Sequence, residues 1–105
     1  MERKSRDTAI LIVEALCADY KRQRELITSG KLEHRTAVEL RYYSFKIFDA
    51  VAEIVGERDA EAMIREVGEN IGYANSDLFY LSEALYKTRK LEVKYNIARR
   101  LHLID

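Results

Sequence analysis

The chain has no proline and only four glycines in 105 residues. Few positions can break a helix, and no segment reads as a long loop or a linker. There is one cysteine, Cys17, so no internal disulfide can form. A reducing, cytoplasmic setting is the expectation. Cys17 lies in an apolar stretch without a basic cluster, which suits a buried structural thiol better than a nucleophile. Long hydrophobic runs are missing too. AILIVEALCA is interrupted by Glu14 and followed by Asp19, so it is too short for a membrane span and too broken for a secretory core. There is no glycine-rich phosphate loop and no Ser-His-Asp or Cys-His arrangement. The two histidines, His34 and His102, lie far apart without ligand-spaced companions. Neither a metal, nor a cofactor, nor an enzymatic activity is expected.

What is present is ordinary for a globular helical chain. Apolar residues make up 48% and charged residues 34%, enough to bury a core without metals or disulfides. The length predicts one domain over residues 1–105. Formal net charge is zero, but it is unevenly spread. Residues 1–35 carry a balance of +2 and residues 36–72 a balance of −4. Residues 73–86 carry −2 and residues 87–105 carry +4. A basic tail and an acidic middle could each meet a partner of opposite sign, or simply be solvated helix faces.

Periodicity predicts an all-α fold of four helices, an irregular or orthogonal bundle. The first helix is expected over residues 7–28, capped by Ser5 or Asp7, with Ile10, Val13, Cys17, Tyr20 and Ile27 inward. Ser29 and Gly30 end it. The second is expected to run to Val55, with a Thr36/Glu39 capping box or a start one turn earlier. It is apolar on most sides, which predicts a central position. The third is expected over residues 59–71, with Gly72 as a left-handed cap. The fourth is expected to begin at Asn75 or Ser76 and continue to about Leu103.

Residues 66–87, EVGENIGYANSDLFYLSEALYK, have the spacing of a helix-turn-helix. Gly68 would be the small residue where the two helices cross, and Gly72 the turn. Val67, Ile71, Leu78 and Leu81 would pack between them. This stretch resembles the turn-helix unit of sigma factor region four, especially that of ArpU-type phage transcriptional regulators. Those often read E-I-G-x-x-L-G-Y-S before the recognition helix. Glu66, Val67, Gly68, Ile71, Gly72 and Tyr73 match, and Ala74 stands where serine is common. Leu78, Leu81, Ala84 and Leu85 fit the later apolar positions. The resemblance implies DNA binding in transcriptional control, encoded by a phage or mobile element. DNA would then be met by Asn75, Ser76 and Tyr80, with Lys87, Arg89, Lys90 and Lys94 on the phosphates.

No Lys or Arg lies between Arg65 and Lys87. That opens a reading from another class. Tyr73, Asp77, Tyr80 and Glu83 would form an acidic-aromatic face suited to a protein partner, above all a nucleic-acid-binding one. The chain would then be an inhibitor of the kind phages encode against host machinery, anti-CRISPR proteins included. Seven tyrosines and no tryptophan favour such a surface, although a core-edge role serves for any single tyrosine. The basic C-terminal segment KTRKLEVKYNIARR suits nucleic acid or an acidic protein better than a membrane. A homodimer through the apolar flanks of the last helix is a third option.

Overall fold

The computed structural model describes the backbone of residues 3–104 and the side chains of residues 6–104. Four helices follow in order: α1 (Arg3–Ser29), α2 (His34–Val55), α3 (Glu57–Gly68) and α4 (Glu83–Arg100). Among the described residues there is no strand, so the all-α class stands. No helix is long and apolar enough to cross a membrane.

α1 and α2 form a packed helix pair, turned at Gly30 with φ 72°, a conformation glycine adopts freely. Gln23 and Ser44 are buried inside it, and the Ser44 hydroxyl donates to Gln23 Oε1 at 2.8 Å. α3 follows after Gly56 alone, at φ 87° and ψ 158°. That region is essentially open only to glycine, so α3 can fold straight back. α4 packs on α2 and α1 far more than on α3. Asn96 Nδ2 donates to the Ala50 carbonyl at 2.8 Å, and Lys94 pairs with Glu14 at 3.2 Å. The core gathers Val13, Cys17, Ile47, Val51, Met63, Val67, Val93 and Ile97.

Several boundaries differ from expectation. α1 starts at Arg3, so neither Ser5 nor Asp7 stands at its head; the Ser5 side chain is outside the described residues. Ala9 rather than Ile10 is the buried residue of its first turns. α2 takes the earlier start, with Glu33 as a cap that makes no side-chain bond. Gly72 is not left-handed but extended, at φ −86°. Asn70 takes the left-handed position instead, at φ 54°. Its N–H bonds to the Val67 carbonyl and that of Ile71 to the Glu66 carbonyl, a Schellman closure in which asparagine replaces the usual glycine.

The largest correction concerns α4. It begins at Glu83, not at Asn75 or Ser76. Residues 69–82 between α3 and α4 are a folded connection with one 3-10 turn, Tyr73–Asn75. Gly68 is a close-approach position as expected, but its neighbour is α1. A Cβ there would lie 2.5 Å from the Ala18 nitrogen and 2.6 Å from the Cys17 carbonyl carbon. The helix-turn-helix-like stretch therefore lacks a second helix where its spacing put one.

α2 also departs from its expected central burial. Its inner stripe, at positions 37, 40, 44, 47 and 51, faces the other helices. Its outer positions stay open: Val38, Tyr42, Tyr43 and Phe45 are all exposed. The shortest dimension of the molecule is 20 Å, about two helix diameters. In so thin a body every helix keeps one face in solvent.

Candidate protein-binding site

The connection 69–82 is organised around one side chain. Glu66, on the inner face of α3, is fully buried. Three donors converge on its carboxyl group. Ser76 Oγ donates to Oε1 at 2.5 Å and the Tyr86 hydroxyl to the same oxygen at 2.7 Å. The Asp77 backbone N–H donates to Oε2 at 2.9 Å. The Arg65 guanidinium stands 3.8 Å from Oε2. A buried acceptor of this kind is tolerable only when so satisfied.

This clamp explains why no helix starts at Asn75 or Ser76. Ser76 Oγ accepts the Leu78 N–H at 2.8 Å while donating to Glu66. The N–H groups of Asp77 and Leu78 are thus satisfied by side chains, which removes the incentive for a helical turn. Ser82 caps α4 instead, accepting from the Leu85 N–H at 3.2 Å, with Glu83 in the first turn. Both features favour a helix N-terminus.

The rest of the connection is pinned equally closely. The Tyr73 hydroxyl donates to the Leu81 carbonyl at 2.6 Å, and its ring lies 5.6 Å from that of Tyr86. Leu78 is buried in the core. Tyr80 donates to Asp59, and Arg58 lies 5.4 Å over the Tyr80 ring. Burial and the bond to Glu66 push the Tyr86 hydroxyl up to about 12. The bond to Asp59, then burial, raises Tyr80 as well. Lys90 is lowered, chiefly by burial and then by Lys94.

What this frame displays is a pair of aromatic rings. Phe79 is 74% exposed, the most open of the large apolar side chains, and Tyr80 beside it is 53% exposed. Asp77 and Glu83 flank them along the chain, and Glu69 shares the Arg65 guanidinium with Asp77; all three acids are exposed. Asp77 pairs with Arg65 at 2.7 Å and Glu83 with Lys87 at 3.2 Å. The acidic character is softened by these pairs, but exposed pairs are weak and exchange partners readily.

The expected site residues scatter. Asn75 is exposed at the end of the 3-10 turn, whereas Ser76 is buried on Glu66. Every basic residue assigned to phosphates is engaged. Lys87 pairs with Glu83, Arg89 with Glu92 at 3.3 Å and Lys94 with Glu14. Lys90 turns inward to the Ile71 carbonyl at 2.5 Å. Of the acidic-aromatic set, Asp77, Tyr80 and Glu83 lie at the surface, and Tyr73 serves the frame beneath. Sequence reasoning missed Glu66. Its signal was a carboxylate three residues after Met63 and directly before Val67, within the apolar stripe of α3.

Elsewhere, a shallow cleft between α1 and α3 is lined by Tyr20, Lys21, Arg24, Glu61 and Arg65. Its charges are of both signs and do not converge. Among the described residues no three His, Cys, Asp or Glu side chains are grouped to hold a metal. No family model, no curated protein and no solved structure matches this chain.

Proposed function

We propose that this chain is a non-enzymatic protein-binding protein that docks through the tip of the connection, residues 77–83. Phe79 and Tyr80 are the anchors, inserted into an apolar pocket on the partner. Glu69, Asp77 and Glu83 orient them against a basic rim, the kind of surface a nucleic-acid-binding protein presents to phosphates. The observation that carries the reading is an open Phe79 on a loop whose backbone is held from beneath by Glu66 and Tyr73. A loop already ordered loses little entropy on binding, and aromatic side chains dominate protein interfaces. DNA recognition is less well supported, because residues 76–82 are not helical and two of the four expected phosphate contacts, Lys90 and Lys94, are half-buried on the Ile71 carbonyl and Glu14.

The test compares the chain with its Phe79→Ala/Tyr80→Ala variant. Both side chains are exposed, so circular dichroism should be unchanged. A binding partner recovered by the unaltered chain and lost by the variant, with retention weakening as salt rises, is the expected result. Recovery of the same proteins by both would overturn the assignment. So would salt-sensitive binding of a mixed-sequence DNA duplex that survives in the variant.

A further inference from the structure

The outer face of α2 carries a second pattern, independent of the loop. Positions 37, 40, 44, 47 and 51 are the inner stripe; positions 35, 38, 42, 45 and 49 are the outer one. Both repeat with spacings of three and four, and they are offset by two residues, about 200° around the helix. The outer stripe reads Arg35, Val38, Tyr42, Phe45, Asp49. Val38 is 50% exposed, Tyr42 60% and Phe45 65%. Three apolar residues at heptad spacing on a solvent face are the seam of a helix pair that lacks its partner. The exposed leucines of α4, Leu85 and Leu91, are six residues apart, about 240° around the helix, and make no such seam.

We infer that this face is the site where a second copy of the chain docks, the two α2 helices pairing antiparallel about a two-fold axis. An isologous contact needs a self-complementary surface, and the α2 sequence supplies one. Place Tyr42 opposite Phe45 of the second copy. Phe45 then meets the second Tyr42, giving two aromatic layers beside the axis. In this register the flanking positions of antiparallel helices bring Glu39 opposite Lys46, and the symmetry does so twice. Val38 falls opposite Asp49, with the Arg35 guanidinium one turn away to receive that carboxylate. Each seam layer is therefore apolar or has an opposite charge within reach.

The side chains are held only by exposed pairs, which are weak and can exchange: Asp49 lies 3.4 Å from Arg100 of α4. Glu39 pairs only with Arg35, at 3.4 Å, and both are well exposed. Lys46 lies 4.6 Å over the Tyr42 ring, which holds its ammonium at the edge of the seam. Tyr42 and Tyr43 meet edge to face, 6.4 Å apart, and with Val38 and Glu39 they line a shallow groove on this face. The area is modest. An aromatic ring offers about 200 Å² when fully open; Tyr42 and Phe45, 60% and 65% exposed, thus supply about 250 Å², roughly a third of the ~800 Å² that one partner gives a stable interface. Association should be reversible and weak.

Sedimentation equilibrium over a range of loading concentrations tests the inference. The mean mass should rise from the 12.3 kDa monomer toward twice that value. Phe45→Glu should remain monomeric throughout, with an unchanged helical circular dichroism spectrum. Glu39→Lys alone places lysines opposite lysines, and Lys46→Glu alone places glutamates opposite glutamates. Each should weaken association at least tenfold. An equimolar mixture of the two restores opposite charges in both pairs and should dimerise as the unaltered chain does. A chain monomeric at hundreds of micromolar would overturn the inference. A dimer indifferent to Phe45→Glu, or a mixture no heavier than its components, would overturn it equally. Phe79→Ala/Tyr80→Ala should dimerise as the unaltered chain does, and Phe45→Glu should still recover a partner bound by Phe79 and Tyr80, so the two surfaces fail separately.

Discussion

Glu66 is the residue on which the connection depends. Its three donors come from Ser76, Asp77 and Tyr86, so one side chain joins α3, the connection and α4. Removing it strands all three in a dry site. A buried donor left without its acceptor costs about 1–3 kcal/mol, and three losses at one shared site are not fully additive. Glu66→Ala should therefore lower unfolding stability by roughly 3–5 kcal/mol, read from urea denaturation. Glu66→Gln should lose less, since it keeps the volume and one acceptor oxygen. A change below about 1 kcal/mol in Glu66→Ala would show that the clamp is dispensable. Little of this was legible in the sequence. Helical phase sets this glutamate in the apolar stripe beside Met63 and Val67, but the groups that make its burial tolerable come ten to twenty residues later in the chain.

Between the elements, the contact of α3 with α1 depends on Gly68. The helices approach there until a methyl group would fall 2.5 Å from main-chain atoms of Ala18. Backbone cannot step aside as a flexible side chain can, so Gly68→Ala must push α3 away from Cys17 and Ala18. The cost should reach about 2–3 kcal/mol, against the slight gain expected for alanine in an exposed helix. A thermal melt no lower than that of the unaltered chain would refute the close packing. The glycine was legible as a crossing point, but its partner was not. A three-four spacing identifies a contact face and leaves open which helix fills it. The same limit explains α4. Asn75, Ser76 and Ser82 are all acceptable caps, and a bond between Ser76 and a buried carboxylate on another helix chose between them. On α2 the apolar residues were correctly identified, but a thin body has room to bury only one of its two stripes.

At the scale of the whole molecule, burial sets the response to alkali. Folding holds the Cys17 thiol up to about 12, against an ordinary value of 9.0, because it is buried. Tyr86 is held up to about 12, against 10.0, and Tyr20 is raised by burial too. A raised folded value means the protonated group is favoured in the fold. That stability is complete below the unfolded values and is lost as pH climbs through the folded ones. Lys90 has the opposite sign, since burial lowers it and its strain is relieved as pH rises. One group cannot offset these three together with Tyr80, raised by its bond to Asp59 and then by burial. Denaturation midpoints should thus hold steady to about pH 9 and then fall toward pH 12, while a midpoint flat to pH 12 would contradict the burial of these groups.

The alternation along the connection has a consequence for how such a chain changes over generations. Ser76 and Leu78 point into the fold, while Asp77, Phe79 and Tyr80 point out. The residues that hold the loop and those that could engage another molecule are thus different residues, interleaved. A substitution at Phe79 alters what is recognised while leaving the Glu66 clamp, the Ser82 cap and the core untouched. Recognition can drift rapidly across related chains while the scaffold stays under tight constraint, and the tip can be randomised in the laboratory without first restabilising the fold.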